Sequence, residues 1–161
     1  VVLITGSGAQ NRDEELMGHK PFLVLSDYLT RNGIAVLRCD DRGSYASKGN
    51  FAKAITTDFA TDIAAAVQYL KTRKEVNSKK IGLIGHSEGG IVAPIVAVGS
   101  KEVSFIVLMA GPGISGTEIL LRQQELIGRA NGMKEEELLK IKEIKKSSLQ
   151  IHEVPIIKDY F

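Results

Sequence analysis

Residues 81–98 read IGLIGHSEGGIVAPIVAV, and the architecture follows from this stretch outward. Residues 81–85 are a short apolar run, the mark of a buried strand. Residues 88–99 are nearly all small or apolar, as a helix packed inside a domain must be. Pro94 falls within that helix, removes one backbone hydrogen bond and predicts a kink. Between strand and helix lies Gly85-His86-Ser87-Glu88-Gly89, a G-x-S-x-G pattern in the strand–turn–helix setting that lifts a serine hydroxyl above a sheet. Such a turn is strained, and small residues two before and two after Ser87 let neighbouring backbone pass close. It leaves the Glu88 N–H at a helix N-terminus, where a developing oxyanion is stabilised. Ser87 is therefore the candidate nucleophile and Glu88 a candidate oxyanion donor. The competing reading is a glycine-rich turn with a bystander serine. His86 is too close in sequence to act as the base, since a neighbour in so sharp a turn points away; a packing or hydrogen-bonding role is expected.

Three further apolar runs, residues 1–5 (VVLIT), 34–39 (IAVLRC) and 103–109 (VSFIVLM), are near-continuous rather than alternating. That is the pattern of parallel strands covered on both faces. Helical patterns separate them. Residues 20–31 carry Phe22, Leu23, Leu25 and Leu29 and stop at Gly33. Residues 57–73 align Phe59, Ile63, Val67 and Leu70, with Thr57 the expected N-cap and Asp58 in the first turn. Strict alternation of strand and helix predicts a doubly wound, mostly parallel α/β sheet over residues 1–112. Residues 113–161 carry two helices and no strand. The first, 117–129, ends at Asn131-Gly132. The second, 134–148, opens with Glu135, Glu136 and Glu137 and closes with Lys142, Lys145 and Lys146, the order the helix macrodipole favours. This charge run reads as a solvated face.

Composition excludes several classes. The 161 residues suit one domain of ordinary size. Lys plus Arg number 21 against 19 Asp plus Glu, a net charge of +2, so binding of nucleic acid by bulk charge is not expected. The single cysteine, Cys39, forms no internal disulfide or multi-cysteine zinc site. No apolar run approaches the ~20 residues of a membrane span. The chain opens on VVLIT, already inside a strand, and closes on an apolar stretch, so a piece of a longer protein is expected. A cytoplasmic location is the default, and a periplasmic or secreted one follows if a leader has been removed.

Other residues offer chemistry. Thr5-Gly6-Ser7-Gly8-Ala9 follows the first strand and suits a second oxyanion donor, the N–H of Ser7 or Gly8, with Ser7 preferred. A simple turn is the alternative. Read as a dinucleotide loop it fails, because the third glycine position is Asn11. Gly111-Pro112-Gly113-Ile114-Ser115-Gly116 matches G-x-G-x-x-G literally, but no strand follows it, so it reads as an exit from the sheet and not a cofactor loop. Cys39-Asp40-Asp41-Arg42-Gly43 leaves the second strand at its C-terminal end. Asp40 and Asp41 could act as acids, but Asp–Arg pairing that holds a loop is the expected role, and Cys39 is expected to pack. His19 and Lys20 follow the acidic loop Arg12–Glu15; loop anchoring is preferred over metal binding, which needs more ligands. His152 and Asp159 follow Ser87, but not on a loop after a late strand, so neither is assigned to a triad.

Together these residues resemble the α/β-hydrolase superfamily, and within it the serine-aminopeptidase-like (S33) and carboxylesterase group. The stretches that carry the resemblance are ITGSGAQNRDE, HKPFLVLSDYLTRNGIAVLRCDDRG, TTDFATDIAAAVQYLKTRKEV and KKIGLIGHSEGGIVAP, which cover most of residues 3–97. The resemblance implies a partial hydrolase core followed by cap-like helices over residues 113–150. It implies Ser87 as nucleophile, Ser7 and Glu88 as oxyanion donors, and Gly6, Gly8, Gly85, Gly89, Asp41 and Arg42 as structural neighbours. No metal and no organic cofactor is implied, and the substrate is a small acyl ester, thioester or amide. Two departures stand out. Tyr45 occupies a position where the family's loop has glycine. The chain also stops before the strands that carry the family's triad Asp and His, so it resembles the middle of a hydrolase. Residues 103–109 then form an apolar sheet edge, which predicts pairing with a second copy. Without a base, Ser87 stays a weak nucleophile. The alternative function is a non-catalytic, hydrolase-fold module that acts in assembly.

Overall fold

Val2–Ile4 forms the first strand, β1, and all three residues are buried. Alternation along a strand sends Val2 and Ile4 to one face and Leu3 to the other, and two separate cores result. Val2 and Ile4 join Ile63, Val67, Leu83 and Val92 in the larger one, while Leu3 packs with Phe22 and Ile84 in the smaller. The structure, a computed structural model, describes residues 1–149.

The remaining strands are β2 (Leu37–Arg38), β3 (Ile81–His86) and β4 (Val103–Met109). All pairings are parallel and the order is β2-β1-β3-β4. Three helices connect them: α1 (Pro21–Arg31), α2 (Thr56–Lys71) and α3 (Gly89–Gly99). The chain runs from β1 out to β2 and then crosses back to β3 on the other side of β1. Strand order therefore reverses between β1 and β3, and the crevice at their C-terminal ends is where ligands gather on such sheets. The larger core lies on the face covered by α2 and α3; α1 supplies Phe22 to the other. Full burial of side chains such as Val67, Leu83 and Phe22 stabilises the fold by about 1.5–3 kcal/mol each.

The doubly wound sheet expected from the alternation is present, with local differences. β2 spans two residues where 34–39 was expected, because β1 offers only Val2 and Leu3 as partners. Among the described residues β4 is an edge strand, as expected of residues 103–109. Phe105 to Met109 are all exposed, in place of the two-sided cover that the apolar run suggests. α1 closes as expected at Gly33 (φ 78°): Gly33 N–H donates to Thr30 O and Ile34 N–H to Leu29 O, a Schellman stop. α2 begins one residue before Thr57. Ile55 precedes it, and the Ile55 N–H donates to the Asp58 carboxylate at 3.0 Å. α3 runs from Gly89 to Gly99 through Pro94. A 3₁₀ turn at Phe51–Lys53 has no counterpart in the sequence reading.

The chain divides into two compact units, Val1–Gly111 and one beginning at Pro112. In the second, α4 (Gly116–Ala130) and α5 (Glu135–Leu149) pack together. Ser115 caps α4 by accepting the Glu118 N–H. Gly128 lies at the crossing, where a Cβ would stand 2.4 Å from Leu138 Cδ2 and push that side chain aside. Gly132 (φ 77°) stops α4 as Gly33 stops α1. Arg129 with Glu135 and Lys142 with Glu125 pair across the two helices.

Candidate active site

Ser87 holds a left-handed φ of 51° between β3 and α3. A non-glycine residue takes this conformation only where its surroundings enforce it. Two contacts do so here. The Ser87 N–H donates to Met109 O at 2.9 Å, which ties the turn to the end of β4, and Gly90 N–H donates back to Ser87 O at 2.8 Å. The glycines on either side are required by backbone, as a Cβ on Gly89 would lie 2.4 Å from Ile4 O. Ser87 is half-buried.

Glu88 precedes the first turn of α3. Its N–H has no acceptor among the described residues, as expected at a helix N-terminus. Its carboxylate is turned away from that role and accepts the Thr56 hydroxyl at 2.8 Å. Thr56, the first residue of α2, is thereby tied to the turn after β3.

The Thr5–Ala9 loop lies against this turn. A Cβ on Gly6 would stand 3.2 Å from Ser87 Cβ. The Gly6 N–H is occupied, donating to Glu14 Oε1 at 2.7 Å. Ser7 and Gly8 are exposed, Gly8 at φ 96°. The Ser7 N–H has no acceptor among the described residues. Asp41 holds both ends of the loop, accepting the Thr5 hydroxyl at 2.7 Å and the Gln10 N–H at 2.9 Å. Burial pushes the Asp41 carboxyl up, and the bonds from Gln10 and Thr5 oppose this.

The expected Asp–Arg pairing forms, but with partners outside the Cys39–Gly43 stretch. Asp40, Asp41 and Arg42 each take different partners. Arg42 forks onto Asp62 of α2 at 2.6 and 2.7 Å and donates to Asp58 O at 2.9 Å. Asp40 is buried and receives Arg12 from both Nε (3.0 Å) and Nη2 (2.8 Å), together with the Arg12 N–H (2.8 Å) and the Ala46 N–H (3.2 Å). The Arg12 guanidinium holds the Asp40 carboxyl well below the usual carboxylate range. The role is still structural, but the partners are distant in sequence. Cys39 is exposed where packing was expected. Tyr45 takes φ 45° at the position where the family has glycine, so the loop keeps a left-handed residue there.

His86 Nδ1 lies 2.7 Å from Glu14 Oε1, so it has a partner other than the serine. No local pattern marks Glu14 or Thr56, because the partner of each lies far away in sequence. His19 holds a tight turn through backbone bonds with Leu16. His152 and Asp159 lie outside the described residues. A cavity of about 260 Å³ opens beside the turn, lined by Thr5, Gly6, Gly8, Asp41, Arg42 and Glu88 among others. Among the described residues, no group of three or more His, Cys, Asp or Glu side chains could hold a metal ion, and no helix is long and apolar enough to cross a membrane.

The model of one protein family, the BAAT / acyl-CoA thioester hydrolase C-terminal domain, matches residues 63–156, more than half of the chain. The chain belongs to that family. This acyl-CoA thioester hydrolase family member is an α/β-hydrolase by fold. Its fold is similar to solved structures, among them the esterase Pf2001 of Pyrococcus furiosus (27% identity, TM-score 0.62, 80% of this chain and 47% of that one). The α/β hydrolase GrgF of Penicillium sp. sh18 shares the fold at 24% identity and a TM-score of 0.58, over 83% of this chain and 47% of that one. The esterase EstD of Thermotoga maritima is 31% identical over 151 residues, which are 89% of this chain and 36% of that enzyme. The family member thus spans about a third to a half of the relatives it matches.

Proposed function

We propose that the protein carrying this chain is a serine hydrolase that cleaves ester, thioester or amide bonds of small acyl substrates through an acyl-Ser87 intermediate. One observation carries the reading: Ser87 stands at φ 51° between β3 and α3, the strained turn of a nucleophile elbow. The Glu88 N–H and the Gly6–Gly8 loop flank it. In the proposed reaction Ser87 Oγ bonds to the acyl carbon as its proton passes to a general base. The carbonyl electrons collect on oxygen, and the Ser7 and Glu88 N–H groups donate hydrogen bonds to the oxyanion so formed. The tetrahedral species expels the alcohol, thiol or amine, and water then releases the acid. The base and its partnering aspartate are not identified among the described residues, since His86 is engaged by Glu14. The family's thioester description supports an acyl thioester as substrate, and the EstD and Pf2001 relatives support an ester. Within the superfamily we place the chain near the S33-type group on the stretches quoted above, with α4 and α5 as a cap and the cytoplasm as its compartment.

The test is incubation of the full-length protein with a fluorophosphonate probe. Labelling is expected and is lost in Ser87→Ala; labelling unchanged by that substitution overturns the reading. Turnover of p-nitrophenyl acetate against acetyl-CoA then separates ester from thioester preference. The second reading, a non-catalytic assembly module, draws on the lack of an assigned base, and Ser87-dependent turnover of either substrate removes it.

A further inference from the structure

We infer that Glu14 is a positioning residue for acyl transfer. Its carboxylate locks the Thr5–Ala9 loop onto the turn that carries Ser87 and so sets where the Ser7 amide stands relative to the serine. The inference rests on the reading of Ser87 as the nucleophile.

Glu14 is 6% exposed and holds a left-handed φ of 51°. Burying a carboxylate costs several kcal/mol unless it is fully engaged, and a left-handed glutamate adds strain. Both costs are met for one arrangement. Glu14 Oε1 accepts the Gly6 N–H at 2.7 Å and lies 2.7 Å from His86 Nδ1. One oxygen therefore joins the loop after β1 to the residue that immediately precedes Ser87, across a separation of 72 residues.

The four residues are tightly packed. A Cβ on Gly6 would meet Glu14 Oε1 at 3.2 Å, Ser87 Cβ at 3.2 Å and His86 Nδ1 at 3.3 Å. Two consequences follow. Gly6 spends its N–H on Glu14, so the next amide, that of Ser7, is the first one free to receive an oxyanion. Asp41 grips the loop at Thr5 and Gln10, and an exposed bond from Gln10 Nε2 reaches Ser7 O at 3.2 Å; Glu14 is the grip that ties the loop to the turn of Ser87. Removing it orphans a part-buried N–H and frees the loop to shift against Ser87. Oxyanion donors act on charge that exists only in the transition state, so the loss falls on kcat and not on KM.

The experiment uses the full-length protein with p-nitrophenyl acetate. Glu14→Ala is expected to lower kcat by about 10–100-fold and leave KM within about threefold, with the rate of fluorophosphonate labelling falling in parallel. Glu14→Gln keeps an oxygen for the Gly6 N–H and is expected to recover most of that loss. His86→Ala, made in the wild-type and Glu14→Gln backgrounds, closes a double-mutant cycle that stays measurable should Glu14→Ala fail to fold; coupled losses in kcat are expected. Wild-type kcat in folded Glu14→Ala, or in the Glu14→Gln/His86→Ala pair, overturns the inference. Failure of the nucleophile reading looks different: Ser87→Ala itself then retains turnover.

Discussion

A Cβ on Gly85 would stand 2.0 Å from the carbonyl oxygen of Gly89. The end of β3 and the start of α3 are that close because the chain reverses through Ser87. No larger side chain fits without opening the turn. Gly85→Ala is therefore expected to destabilise the fold by about 3 kcal/mol, at the upper end of overpacking costs. Gly33 is the control. It has nothing within 4 Å and φ 78°, so Gly33→Ala costs only the left-handed backbone, about 1 kcal/mol. Urea unfolding midpoints measure both, and equal losses would contradict the steric argument.

Acid is expected to loosen the loop after β1. Arg12 holds the folded-state pKa of Asp40 below its unfolded value. A depressed carboxyl pKa contributes stability above the unfolded value of about 4, and that contribution is lost as pH falls from there toward the folded value. Arg12→Met raises the folded pKa and so flattens stability against pH below 4. Denaturant midpoints at pH 7 and pH 2.5 for both proteins check this; parallel curves would count against the pairing. Asp40→Ala, which leaves the Arg12 and Ala46 amides unpaired, is expected to cost about 2–4 kcal/mol at neutral pH.

The Thr56–Glu88 bond links α2 to the start of α3. Thr56→Val preserves the shape and removes the donor, with an expected loss of about 1 kcal/mol, and Thr56→Ser restores it. Thermal melts of the three proteins decide between this and a purely steric role for Thr56, which would leave the valine variant as stable as wild type.

β4 presents Phe105, Ile106, Val107, Leu108 and Met109 to solvent on a strand with one paired edge. An apolar edge of this kind recruits another strand. The 161-residue chain is expected to self-associate, and Val107→Lys to shift it toward monomer. Light scattering coupled to size exclusion gives the answer, and a wild-type monomer at high concentration would refute it.

The doubly wound sheet was legible from sequence because its information is local. Buried parallel strands are apolar runs, helices repeat at 3.6 residues, and Gly33 and Gly132 mark stops through backbone geometry alone. The Ser87 turn was legible for the same reason, since strand, glycine, serine, glycine and helix are contiguous. Everything that fixes the serine's surroundings is not. Glu14 reaches His86 across 72 residues, Arg42 passes over its neighbours to Asp62, and Thr56 leaves its own helix for Glu88. Periodicity reports which face a residue occupies, and loop residues have no face until the strands that carry them are paired. Only the tertiary structure, by setting β1 beside β3, decided which polar groups meet at the turn; the residues alone determined that such a turn exists.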